Sequence, residues 1–216
     1  MNAAAFGSKR AMNRSKFALL LVLLSGFVTT ALPSLAAPKE LFNGRDLSGW
    51  VAMHGGEWTV EDGVLVGRNG TNWTTNPEMS GSWLRTEQAY SDFVLELEYS
   101  INSRGNSGIH FRSALEKNPS FTGYEMQILD DAGREARKTG TGSIYDVVAP
   151  TKNMSKPAGE WNKVRITCKG NRIQVNLNGE DIVDFEGNRA TRGYIGLQNH
   201  DHHAVIKFRN IKITAL

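Results

Sequence analysis

Residues 92–102, DFVLELEYSIN, alternate without a break. Phe93, Leu95, Leu97, Tyr99 and Ile101 fall on one side, and Val94, Glu96, Glu98 and Ser100 fall on the other. A period of two over that length predicts a strand with one buried and one wetted face. RIQVNLN repeats the pattern, with Ile173, Val175 and Leu177 opposite Arg172, Gln174, Asn176 and Asn178. Further strand patterns are EWTVE, VLVGR, SWLRT, SGIHFRS, GYEMQILD, NKVRITCK, DIVDFE, GYIGLQN and AVIKFRNIKI, separated by Gly, Asn, Asp or Pro. Gly170-Asn171 and Asn178-Gly179 read as short hairpin turns. No stretch carries a convincing helical period. Roughly a dozen alternating strands with short turns predict an all-β, two-sheet antiparallel sandwich, most simply a jelly roll.

The chain's net charge of +3 is carried by its N-terminus. Lys9, Arg10, Arg14 and Lys16 precede the uncharged FALLLVLLSGFVTTAL, and LPSLAAP follows with small residues at Ser34 and Ala36. This order is that of a secretory signal peptide, residues 1–36, too short and wrongly flanked for a comfortable transmembrane span. The remaining 37–216 form one expected domain with 21 basic and 22 acidic residues, a net charge near −1. The sequence pI of about 9.0 is therefore a property of the export segment. It gives no reason to expect nucleic acid as a partner, or a membrane once the signal is cleaved. The expected location is periplasmic or secreted. The single cysteine, Cys168, permits no intramolecular disulfide and reads as a small hydrophobe at a strand end.

Polar residues inside strand patterns mark the candidate site. GYEMQILD sets Glu125 and Gln127 on one face, and a bulge near Ile128 or Leu129 would bring Asp130 to the same face. SGIHFRS sets His110 and Arg112 opposite Ile109 and Phe111. Arg112 would pair with Glu125 across neighbouring strands, bind a ligand oxygen, or do both. In GYIGLQNHDHH, Gln198 and His200 share a parity, whereas His202 and His203 read as a solvated loop. With Asp201 they suggest a metal, but at most two adjacent positions of an extended chain can share one, so a divalent metal stays open. Segments 69–81 and 130–143 are long enough to be functional loops. Tyr145 and Trp73 either stack on a flat ligand ring or anchor their loops, while Trp50, Trp58, Trp83 and Trp161 read as packing residues. There is no Gly-rich phosphate loop or nicotinamide fingerprint, so no nucleotide cofactor is expected.

The succession LFNGRDLSGW, GNSGIHFRS, GYEMQILD, GEWNKVRITCKGNRIQVNLNG, GYIGLQNH and FRNIKI resembles the 3-keto-disaccharide hydrolase domain family, from about Glu40 to Leu216. The resemblance implies a concanavalin A-like jelly roll in a secreted bacterial enzyme acting on oxidised (3-keto) oligosaccharides or glycosides, as hydrolase or lyase. Laminarinase-type glucanases of similar fold carry Glu-x-Asp-x-x-Glu on a bulged strand. Here the spacing is kept but reads Glu125, Gln127, Asp130, which weakens a conventional two-carboxylate hydrolysis. A 3-keto sugar needs less, because the ketone acidifies the C2 hydrogen and one base starts an elimination. On this reading Glu125 or His110 is the base, and Arg112 or a metal stabilises the enolate. Asp130 or His200 assists the leaving group, and Gln127, Tyr145 and Gln198 bind substrate. A non-catalytic carbohydrate-binding module and a conventional glucanase are the alternatives.

Overall fold

The computed structural model describes Gly7, residues 36–72 and residues 81–216. Trp73 and the export segment, apart from Gly7 and Ala36, lie outside the described residues. Two antiparallel sheets face each other. The larger runs β11 (Glu180–Glu186), β10 (Arg172–Leu177), β9 (Asn162–Lys169), β6 (Phe93–Ile101), β13 (Ile206–Ala215), β4 (Val64–Arg68) and β3 (Glu57–Glu61). Its eighth strand, β1 (Lys39–Glu40), pairs with β13. The smaller sheet runs β2 (Trp50–Met53), β5 (Ser82–Tyr90), β12 (Gly193–Asn199), β7 (Asn106–Ser113) and β8 (Tyr124–Leu129). The architecture is the expected two-sheet sandwich of jelly-roll type.

Alternation builds the core. Phe93, Leu95, Leu97, Tyr99 and Ile101 of β6 are buried, as are Ile173, Val175 and Leu177 of β10. They pack in one hydrophobic cluster with Leu84, Leu197, Ile109, Phe111, Met126 and Ile128 of the small sheet. Because alternate side chains point oppositely, the intervening residues of β5, β12, β7 and β8 share the outer face of the small sheet. The register aligns Trp83 with Gln198, Gly196 with His110, and His110 with Glu125.

One helical turn departs from the all-strand reading. The turn α1 (Pro119–Thr122) joins β7 to β8. Asn118 caps it by accepting the Ser120 N–H, and Pro119 occupies a position whose N–H needs no partner. The stretch expected as a free loop, 130–143, also turns back to the sheet. The backbone N–H groups of Gln127, Gly142 and Tyr145 donate to Ser143, Gln127 and Glu125, at 3.1, 2.9 and 2.8 Å. Residues 142–145 thereby line the outer edge of β8.

Candidate active site

Glu125, Gln127, Gln198, His200 and Tyr145 line one cleft on the outer face of the small sheet, together with Asn106, Asn118, Ser120 and Phe121. Glu125 forms its floor, and His110 stands beside it on the neighbouring strand. Both are buried, at 3% and 1% exposure. They are directly opposed across β7 and β8, with His110 Nε2 3.7 Å from Glu125 Oε1 and 3.3 Å from Ser120 Oγ. The edge of the Trp83 ring contacts the imidazole at a centroid distance of 5.5 Å. Trp83 thus packs within its sheet and buttresses His110 from behind the cleft.

Two glycines make this geometry possible. A Cβ at Gly108 would overlap the Glu125 carboxyl, and one at Gly196 would overlap the Trp83 ring. Their bare backbone lets the carboxyl and the indole lie flat across neighbouring strands. Glu125 Oε1, His110 Nδ1 and Gln198 Oε1 are buried without a hydrogen-bond partner among the described residues. Such groups are costly in a fold, and those of Glu125 and Gln198 belong to residues that line the cleft.

The other end of the cleft is polar. Gln127 donates from Nε2 to Asn106 Oδ1 at 3.0 Å, which fixes both amides. His200 Nδ1 lies 2.8 Å from Asp201 Oδ2, leaving Nε2 as the nitrogen open to a ligand. Burial pushes the Asp201 carboxyl up. Hydrogen bonds from His200 and from the N–H groups of His203 and Ala204 outweigh that and hold it below the usual carboxylate range. At Tyr145, burial and then the neighbouring Glu125 carboxylate push the phenol pKa up, so it remains a donor.

Two expected site residues lie elsewhere. The bulge expected in β8 is absent, since β7 and β8 pair without a shift from Asn106–Leu129 to Phe111–Tyr124. Asp130 therefore does not rotate into the cleft. Its carboxylate accepts the Arg104 N–H at 2.9 Å and closes the turn at the far end of the pair. The irregularity sits instead between β12 and β7, where Tyr194 opposes Ser113 and Gly196 opposes His110. The extra residue includes Arg112, whose φ of 55° breaks the alternation with His110. Its guanidinium points away from Glu125 and donates to Ser91 O at 2.8 Å, Gly170 O at 2.7 Å and Asp92 Oδ1 at 3.0 Å. The expected ion pair with Glu125 is not made, and Arg112 does not line the cleft.

Several lining residues escaped the sequence reading. Asn106 shares parity with His110 and was open to the same argument. Ser120 and Phe121 had only the Asn118-Pro119 helix-start signal, which does not say what the turn would face. Among the described residues, no three His, Cys, Asp or Glu side chains converge as metal ligands.

Known proteins give this cleft a context. A family model described as the 3-keto-alpha-glucoside-1,2-lyase-like domain matches residues 37–214. A protein of Bacteroides thetaiotaomicron named 3-keto-disaccharide hydrolase is 24% identical over 82% of this chain and 77% of its own length. A crystal structure from Parabacteroides distasonis, provisionally assigned as a glycosyl hydrolase, is 28% identical with a TM-score of 0.70. It covers 83% of this chain and 100% of that one. The carbohydrate-binding module CBM66 of Bacillus subtilis shares the fold, at 20% identity and a TM-score of 0.55 over 76% of this chain and 93% of its own.

Proposed function

The chain belongs to the 3-keto-α-glucoside-1,2-lyase-like domain family and is a glycoside hydrolase or lyase; from that premise we propose that it cleaves 3-keto-glycosides by removing the proton at C2. The observation that carries this reading is the carboxyl count. Glu125 is the one carboxyl among the described residues lining the cleft, and Asp130 lies outside it. Retaining or inverting hydrolysis of an ordinary glycoside uses two carboxyls across the bond. Elimination from a 3-keto sugar uses one.

Glu125 takes the C2 proton, and the electron pair of that bond enters an enolate delocalised onto O3. The amides of Gln127, Asn106 and Gln198 are the donors placed for that oxygen, in the role expected of Arg112. Collapse of the enolate restores the ketone, forms the C1–C2 double bond and breaks the bond from C1 to the glycosidic oxygen. Glu125, protonated in the first step, gives that proton to the leaving oxygen, while His200, fixed by Asp201, is a donor for the sugar oxygens at the polar end. Addition of water across the new double bond turns this elimination into net hydrolysis. Ser120 holds the His110 ring, which faces the Glu125 carboxyl at 3.7 Å. The basic and apolar N-terminus supports export from the cytoplasm.

The test is incubation of the purified protein with 3-keto-disaccharides and their unoxidised counterparts in deuterated water, with and without a chelator. Cleavage of the 3-keto form alone is expected, with an isotope effect from a C2-deuterated substrate and deuterium at C2 of any hydrated product. Cleavage of the unoxidised glucoside, or 3-keto cleavage that leaves C2 unlabelled and shows no isotope effect from a C2-deuterated substrate, overturns the mechanism. Loss of activity to the chelator would add a metal to the site.

A further inference from the structure

The two ends of the cleft differ in chemistry, and the register orders them. His110 and Glu125 stand level, Gly108 and Gln127 come next along the strands with Gln198 of β12 at their level, and His200 lies just past the end of β12 in that same direction. The turn α1 lies at the opposite end of β7 and β8, so Phe121 and His200 flank Glu125 from opposite sides.

Phe121 is 45% exposed and, with the C-terminal Leu216, is a large hydrophobic residue left in water among the described residues. Its ring faces that of Tyr145, at a centroid distance of 6.2 Å and a tilt of 56°. Tyr145 is itself fixed by its N–H, which donates to Glu125 O. The turn that carries Phe121 is firmly held. Arg189 Nη1 donates to Ser120 O at 2.9 Å and to Gly123 O at 3.0 Å, and the Gly123 N–H donates to Pro119 O at 3.3 Å. An exposed benzyl side chain contributes little burial to the fold. Fixing one at the rim of a cleft prepares it for a ligand with an apolar face.

We propose that Phe121 and Tyr145 form the platform for the ring on the leaving side of the scissile bond, a subsite that rests on the chemistry proposed at Glu125. The keto sugar needs donors for its oxygens, and the amides and His200 supply them at the polar end. The group beyond the broken bond then extends toward α1. A pyranose presents a C–H face to an aromatic ring and an aryl aglycone presents a π face, so both fit this platform.

The test compares kcat/KM of wild type and Phe121→Ala on 3-keto-glucosides with methyl, phenyl and glucosyl leaving groups. Loss of a stacking partner is expected to cost about tenfold on a ring leaving group and to change the methyl glycoside less than twofold. A drop with phenyl alone identifies an aryl subsite, and a drop with glucosyl alone identifies a sugar subsite. Phe121→Tyr restores the ring substrates. Equal losses on all three substrates, or no loss on either ring substrate, overturns the proposal. Calorimetry of the same ligands on Glu125→Gln, with and without Phe121→Ala, reads the platform without turnover. If wild type cleaves none of the substrates, the chemistry fails. The platform then stands or falls on whether Phe121→Ala weakens binding of the ring ligands relative to methyl.

Discussion

The carboxyl group of Glu125 lies over Gly108, in the space a β-carbon would occupy. One strand supplies the reacting group and its neighbour supplies an absence of side chain, so the base rests on backbone within 3.7 Å of an imidazole. The pairing gives the sequence GIH in β7 a chemical meaning: a glycine to admit the acid and, two residues on, a histidine to face it.

Gly108→Ala should therefore displace Glu125. The added methyl has no room, and overpacking of this kind costs about 1–3 kcal/mol. Urea unfolding is expected to show that loss, and turnover of a 3-keto-glucoside should fall by about two orders of magnitude, as when a general base is lost. The double variant Gly108→Ala/Glu125→Ala should regain much of the stability and none of the activity. Equal losses in both backgrounds would show that the two positions do not interact.

Glu125→Gln keeps the shape and removes the base. Turnover should fall by about 10²- to 10⁴-fold. Stability should hold or rise, because a buried carboxylate oxygen without a partner becomes a neutral amide. Kinetics and a thermal melt on the same sample check both halves. Full activity would remove Glu125 from the chemistry.

Arg112 has an architectural task. It joins the turn after β5, at Ser91 and Asp92, to the turn after β9, at Gly170. Arg112→Met leaves two carbonyls and a half-exposed carboxylate without their donor and should cost about 1.5–3 kcal/mol. Arg112→Lys should rescue little, because one ammonium cannot span the same acceptors. The folded fraction of either variant should keep the wild-type KM, which separates support of the fold from substrate binding.

Acid should act on Asp201. Its carboxyl titrates below the usual carboxylate range in the folded chain, so its contribution is present above the unfolded value and lost as pH falls through the folded one. Unfolding free energy should decline from about pH 4 downward, and Asp201→Asn should flatten that limb. An unchanged acid limb in the variant would place the sensitivity elsewhere. The same substitution should alter the pH profile of kcat if Asp201 orients His200.

The strands were legible because each answers to its own alternation. VLVGR, NKVRITCK and GYIGLQN coincide with β4, β9 and β12 to the residue, and the inward residues of DFVLELEYSIN are buried as read. Half of the cleft was legible for the same reason. Glu125, Gln127, His110, Gln198 and His200 follow from parity once the strands are placed. The rest depended on where one extra residue would sit. A bulge in β8 would have delivered Asp130, whereas the bulge in β7 removed Arg112, and local composition does not choose between neighbouring strands. The support that Trp83 gives His110 depends on the pairing of β5 with β12, across more than a hundred residues. Phe121 depends on the direction taken by a single turn. Both are tertiary outcomes that no local pattern encodes.

β8 ends the five-stranded sheet, and an open sheet margin invites a foreign strand to add itself. Residues 142–145 occupy that margin beside Glu125 and Gln127. The strand bearing the base is thus closed to self-association while its other surface stays open to solutes. Because the same segment brings Tyr145 beside Glu125, any change that frees it would open the sheet margin and unseat one side of the cleft together.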